Sequence, residues 1–195
     1  EEIFVCDPAC GSGQFLMAAA RRLVGREPRP EQLGRLLQLH GVDLDPAAAR
    51  LAAHNLSLFA ARELGASQPG SMLDELLGGG FPYLLGSGIQ TGNSLLVEAS
   101  TFSPGFLWER RFPRAFDREN PGFDVVVGNP PYITVKDKVL NEAYRQRYGS
   151  CHMKYSLAVP FMERLFELAV ASVRAGFVGM ITANSSRSCS QTSTS

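Results

Sequence analysis

The sequence predicts an α/β domain built on a mostly parallel sheet. Short apolar runs alternate with segments of helical period along the chain, the pattern of right-handed βαβ units. The apolar runs at 3–6, 39–44 and 123–127 each end in a polar or glycine-rich turn, as buried strands do. Hydrophobic residues make up 45% of the 195 residues, enough for a core on both faces of such a sheet.

Ile3, Phe4, Val5 and Cys6 form the first strand, ended by Asp7-Pro8 and a glycine turn. A helix follows over 14–24, with Phe15, Leu16, Ala19, Ala20 and Leu23 at helical spacing. A breaker segment at 26–30 leads to a second, short helix over 31–39. The next strand is 39–44. Asp45 then caps a helix that has Pro46 at its first position and Leu51, Ala52, Leu56, Phe59 and Ala60 on one face. The connector 65–88 holds a short helix at 72–77 and a flexible Gly78-Gly79-Gly80. Residues 89–91 read as a weak strand before Gly92-Asn93, and 98–122 as irregular chain. The clearest strand, 123–127, feeds into Gly128-Asn129-Pro130-Pro131-Tyr132. An amphipathic helix over 156–173 turns Leu157, Phe161, Leu165, Leu168 and Ala169 inward, and 177–182 is a last strand. From 185 onward eight of eleven residues are Ser or Thr, a composition expected to be disordered.

Nineteen basic residues balance nineteen acidic ones. That excludes a strongly basic coat protein and a highly charged disordered chain, but a neutral total can hide a local basic patch. No apolar run reaches the ~18 residues of a membrane span. The chain starts Glu1-Glu2, with no signal peptide and no initiator Met. It is expected to be a cytoplasmic segment of a longer polypeptide. Cys6, Cys10, Cys151 and Cys189 have no CxxC spacing and no zinc pattern, so reduced thiols and no metal are expected.

Three motifs fall at strand ends, where open parallel sheets bind ligands. Asp7-Pro8-Ala9-Cys10-Gly11-Ser12-Gly13 is a tight strand–turn–helix whose glycines let a ligand reach the backbone. A dinucleotide fingerprint needs a third glycine where Leu16 stands, so pyrophosphate is disfavoured. Asp43, at the second tip, can accept both hydroxyls of a ribose. Gly92-Asn93-Ser94 is a third polar tip. In Asn129-Pro130-Pro131-Tyr132 the two prolines stiffen the loop and remove two donors. The Asn129 side-chain oxygen, the Pro130 carbonyl and the flat ring of Tyr132 remain. That set suits a planar group bearing an NH₂. Two acceptors on the two amine hydrogens would localise the nitrogen lone pair and so activate it.

On these motifs the chain resembles the S-adenosylmethionine-dependent N6-adenine DNA methyltransferases of restriction and phage-defence systems. The segment 132–160, with Cys-His-Met-Lys-Tyr-Ser-Leu, is similar to the large methyltransferases of BREX-type phage exclusion. The resemblance implies a Rossmann-like class I methyltransferase fold, a three-layer sandwich truncated at both ends. Residues 1–184 would be a partial catalytic domain and 185–195 its tail. It implies that Asp7, Ala9, Gly11 and Gly13 line the methionine and ribose part of S-adenosyl-L-methionine. Asp43, with Leu44 beside it, would bind the ribose, and Asn93 the cofactor adenine. Asn129, Pro130, Pro131 and Tyr132 would grip and stack on the target base. Such enzymes extrude that base from the duplex, so double-stranded DNA and defence-system subunits are the implied partners. Residues 136–154 carry Lys136, Lys138, Arg145, Arg147 and Lys154 against Asp137 and Glu142, where phosphates of an extruded strand would pass.

Three other readings stand beside this one. The same loop could methylate a protein glutamine or an RNA base. The chain could be a catalytically dead fragment that binds DNA or a partner. An NAD-dependent oxidoreductase is opposed by Leu16 and by the Asn-Pro-Pro-Tyr loop.

Overall fold

The computed structural model describes residues 2–27, 32, 34–63, 87–97, 105–172 and 175–182. The expected helix at 72–77, the glycine run at 78–80 and the Ser/Thr-rich stretch lie outside the described residues. Strand β1 (Val5–Asp7) leads through a glycine turn into helix α1 (Gln14–Val24). A 3₁₀ turn (Gly34–Gln38) precedes β2 (Leu39–Asp43), and helix α2 (Pro46–Glu63) follows. Strand β3 (Ile89–Thr91) comes before two one-turn helices, α3 (Trp108–Arg111) and α4 (Pro113–Phe116). Strand β4 (Val125–Gly128), α5 (Lys138–Arg147), α6 (Ala158–Leu168) and β5 (Phe177–Met180) complete the order.

Among the described residues every strand pairing is parallel, in the order β3-β2-β1-β4-β5. The chain winds outward from β1 to β3, then returns to place β4 on the free side of β1. That reversal makes a crevice at the carboxyl ends of β1 and β4, the place where doubly wound sheets hold ligands.

Alternation along each strand sends neighbouring side chains to opposite faces. Val5, Leu39, Val125 and Ile89 pack with Leu16, Ala20, Ala52 and Leu56 of α1 and α2. Cys6, Val42 and Val126 face the other way, toward Phe161, Leu165 and Leu168 of α6 and an aromatic cluster. The domain is therefore a three-layer α/β/α sandwich. Phe106, Trp108, Phe112 and Phe123 are all at most 2% exposed. Their rings meet edge-on or tilted at centroid distances of 4.9–6.1 Å, the geometry aromatic quadrupoles favour. His40 lies among Phe4, Phe112 and Phe123. Burial holds its pKa down at about 4, so the ring is neutral, and Nδ1 donates to the Gln38 carbonyl at 3.0 Å.

Four local expectations change. Of the short helix expected over 31–39, residues 34–38 form a 3₁₀ turn and Leu39 begins β2. On α2, Leu51 is 48% exposed, and the inner stripe is Ala49, Ala52, Ala53, Leu56, Phe59 and Ala60. The glycine turn before α1 presses on this helix so closely that only small side chains fit between them. The irregular stretch before β4 contains α3 and α4, which deliver Trp108 and Phe112 to the core. Helix α5 has no counterpart in the expected elements.

Candidate active site

The tips of β1, β2, β3 and β4 lie side by side, and their loops are tied to one another by backbone bonds. Cys10 N donates to Val42 O at 3.0 Å, and Gly92 N to Asp43 O at 2.9 Å. The Ser94 hydroxyl donates to the Pro8 carbonyl at 2.5 Å. The turns after β1, β2 and β3 thus form one continuous rim.

Gly11 and Gly13 both have positive φ, 53° and 83°, which L side chains seldom adopt. They differ in what surrounds them. A Cβ on Gly13 would sit 3.0 Å from the Ala52 Cβ, whereas one on Gly11 would project into open space. Gly13 serves the packing of α1 on α2. Gly11 leaves an open place above the rim, bordered by a carboxylate. Asp43 Oδ2 accepts from Gly11 N at 2.8 Å, and Oδ1 from Asp45 N at 2.9 Å. A carboxylate offers about four lone-pair directions, so half-buried Asp43 keeps acceptor capacity for a diol. The adjoining Leu44 is 60% exposed and Ala9 is half-buried. Asp45 caps α2 as expected, accepting from Ala47 N at 2.9 Å.

Asp7 is only 1% exposed. Its Oδ1 accepts from Ala9 N at 3.0 Å, and a Cβ on Gly128 would lie 3.6 Å from that oxygen. The carboxyl group is wedged between the ends of β1 and β4, beneath the start of the Asn129 loop. Burial first, then the charge of Asp43, raises its pKa to about 7 against the bond from Ala9.

Asn93 is 4% exposed. Its Oδ1 accepts from Leu95 N at 3.0 Å, and its Nδ2 donates to the Tyr144 hydroxyl at 3.1 Å. Because the Leu95 N–H can only donate, it fixes which end of the amide is which. Tyr144 comes from α5. Leu140, Tyr144 and Tyr148 recur every four residues behind Asp137, whose side chain caps the helix through Leu140 N. That cap and spacing are the signals by which α5 is legible.

Asn129 is exposed at the end of β4, Pro130 is buried, and Pro131 and Tyr132 are exposed. Among the described residues no hydrogen bond engages the Asn129 side chain, so its carbonyl and amide face outward. The Tyr132 hydroxyl donates to the Ile181 carbonyl just past β5, and Ile181 N donates to Gly128 O at 3.0 Å. The loop is therefore clamped on the β5 side.

The five expected cations divide. Lys136, Lys138 and Lys154 are exposed. Arg147 is paired with Glu167 at 2.8 Å and lies 5.0 Å over the Tyr148 ring. Arg145 bonds Asn141 Oδ1 at 2.9 Å and stacks 5.5 Å over Tyr155. Glu167 also pairs with buried Arg164 at 2.9 Å, and Arg164 reaches the Tyr148 hydroxyl at 3.0 Å. Among the described residues no group of three His, Cys, Asp or Glu side chains could hold a metal, and no helix is long and apolar enough to cross a membrane.

The family model described as Eco57I restriction-modification methylase matches residues 37–193, and one described as N-6 DNA Methylase matches residues 1–68. The chain is 39% identical over 210 residues to the adenine-specific methyltransferase PglX of Streptomyces coelicolor, covering 95% of this chain and 17% of that protein. It is 28% identical over 177 residues to the type II methyltransferase M.BstVI of Geobacillus stearothermophilus, covering 86% and 27%. The cryo-EM structure of a DrdV–DNA complex superposes with a TM-score of 0.56 at 18% identity, covering 92% of this chain and 17% of that one; this likeness is one of fold. The chain spans less than a third of the length of each of these proteins.

Proposed function

The chain belongs to the Eco57I restriction-modification methylase family, and from that membership we propose that it forms the catalytic core of a cytoplasmic enzyme that methylates N6 of adenine in DNA. S-adenosyl-L-methionine is the methyl donor, and the setting is a restriction-modification or phage-exclusion system. The observation that carries the proposal is the placement of Asn129-Pro130-Pro131-Tyr132 at the carboxyl end of β4, next to the Gly11–Asp43 rim.

The rim fits the cofactor. The open space at Gly11 accommodates a ligand pressed to the backbone, and Asp43 has acceptors left for the ribose hydroxyls. Asp7, Ala9, Gly13, Leu44 and Asn93 shape the surrounding walls. When bound, S-adenosylmethionine supplies an electrophilic methyl group on a sulfonium centre.

The residues of this chain act on the other reactant. The Asn129 Oδ1 and the Pro130 carbonyl accept the two N–H bonds of an adenine amine, which localises the nitrogen lone pair toward the rim. Tyr132 stacks on the extruded base, its ring held by the bond to Ile181. Fixed acceptors of this kind act on charge that develops in the transition state. No side-chain base is required, because the amine loses its proton to water after it has become cationic.

Methylation-sensitive single-molecule sequencing of DNA from cells expressing the complete polypeptide that contains this sequence tests the proposal. N6-methyladenine at one short motif is expected, and Asn129→Ala should lose it, a deficit of about 10²–10³ in rate. In the purified protein Asn129→Ala should retain cofactor binding, whereas Asp43→Ala should weaken it. Unmethylated DNA in the unmodified strain would sink the proposal and turn attention to RNA or protein substrates.

A further inference from the structure

The loop between α5 and α6 holds one residue against two physical preferences. Met153 has φ 49°, the sole non-glycine at positive φ among the described residues. Its side chain is 87% exposed. A left-handed backbone is unfavourable for a bulky residue, and an outlier of this kind persists only where its surroundings over-determine it.

Here they do. Cys151 and Tyr155, two residues away on either side, are buried. The Tyr155 hydroxyl bonds the Asn141 carbonyl at 3.3 Å, and Arg145 donates to the Met153 carbonyl. Arg145 is itself fixed by Asn141 and by the Tyr155 ring. The cluster holds the backbone at 153 and turns the thioether to solvent.

The same loop is fastened to the Asn129 loop. Leu157 N donates to the Ile133 carbonyl at 2.9 Å, and Asn141 Nδ2 to the Val135 carbonyl at 3.3 Å. All three lysines of the chain, Lys136, Lys138 and Lys154, lie on these linked segments and are exposed. An apolar tip on a lysine-bearing surface suits a duplex, in which phosphates surround an apolar stack of bases. Methionine is flexible and polarizable, and apolar side chains of this type enter unstacked base steps.

Resting on the reading that an extruded adenine is methylated, we propose that Met153 enters the DNA stack at the gap left by that base and so holds the extruded state open. The side chain takes no part in methyl transfer itself. It acts on the equilibrium between stacked and extruded base, so its effect depends on how firmly the target is paired.

The complete polypeptide containing this sequence is assayed on two duplexes carrying its mapped site, one fully paired and one with an abasic site opposite the target adenine. Met153→Ala is expected to lower kcat/KM about tenfold or more on the paired duplex and less than about threefold on the other, where extrusion needs little help. Met153→Gly, which is at ease at positive φ, should lose as much on paired DNA as Met153→Ala, and Met153→Leu should stay within about threefold of the unmodified protein. Equal losses on both duplexes would make the role structural and overturn the proposal, as would undiminished activity of Met153→Ala on paired DNA. An unmodified protein that methylates neither duplex would overturn the methyl-transfer reading, and the wedge with it.

Discussion

The side-chain amide of Asn93 donates to the hydroxyl of Tyr144 at 3.1 Å across 51 residues of sequence. This buried bond joins the loop after β3 to helix α5, which follows the Asn-Pro-Pro-Tyr loop. Its neighbour Tyr148 donates to the Leu95 carbonyl at 2.6 Å, and Arg164 reaches the same carbonyl at 3.3 Å. The loop after β3 is thus anchored to the helices that follow the Asn-Pro-Pro-Tyr loop.

Tyr144→Phe leaves the Asn93 Nδ2 donor buried without its partner, while Leu95 still prevents the amide from turning over. The expected cost is about 1–3 kcal/mol of stability, read as a lowered urea midpoint with an unchanged slope. Asn93→Asp should tolerate the native tyrosine, since the Tyr144 hydroxyl can rotate to donate to a carboxylate.

Gly11 and Gly13 should separate packing from ligand binding. Gly13→Ala combines φ 83° with a 3.0 Å approach to Ala52, and a loss of roughly 2–3 kcal/mol is expected. Gly11→Ala meets nothing and should lose only about 1–2 kcal/mol of backbone strain energy. Its methyl group enters the open space over the rim, so cofactor affinity measured by calorimetry should fall although the protein stays folded.

Asp7 and His40 oppose each other in pH dependence. Burial raises Asp7 from 3.8 to about 7. The folded state therefore binds its proton more tightly, and stability is lost as pH rises through that window. Burial lowers His40 from 6.5 to about 4. Its contribution is present above pH 6.5 and lost as pH falls toward 4. The two trends offset between these values. Asp7→Asn, which can still accept from Ala9 N, should unmask the histidine: stability rises from pH 4 to 6.5 and then levels. Above pH 7 the variant should exceed the unmodified protein by roughly 2–4 kcal/mol, as measured by denaturant unfolding at a series of pH values.

The cations after the Asn129 loop should differ in their salt dependence. Lys136→Ala or Lys138→Ala should each reduce the slope of log affinity for DNA against log salt by about 0.9. Arg147, held by Glu167 at 2.8 Å, should lower that slope less than either lysine does when replaced by Ala. Equal effects at all three positions would contradict this division.

The site is legible in the sequence to the extent that its parts are local. Gly11 and Gly13 announce a turn because few other residues take their φ values, and Asp45-Pro46 announces a helix start because a cap and a fixed φ act within a few bonds. Arg164 shows the limit. In sequence it interrupts an apolar helix, yet in the structure it is 4% exposed, satisfied by Tyr148, Leu95 and Glu167. Trp108 and Phe112 sit in what reads as irregular chain, and only the sheet behind them explains their burial.

By itself the sequence determined the alternation of strands and helices, the tight turn after β1, the acidic tip of β2 and the stiff acceptor loop after β4. Each depends on backbone conformation and side-chain chemistry over a few consecutive residues. The tertiary structure alone decided that β4 lies against β1, so that Asp7 sits under Gly128. It also decided that Tyr144 braces Asn93, that Arg147 pairs while the lysines stay exposed, and that Met153 points to solvent. Those outcomes join residues tens of positions apart, and such contacts are selected by how whole faces pack and by which buried polar groups find partners, quantities that no local pattern contains.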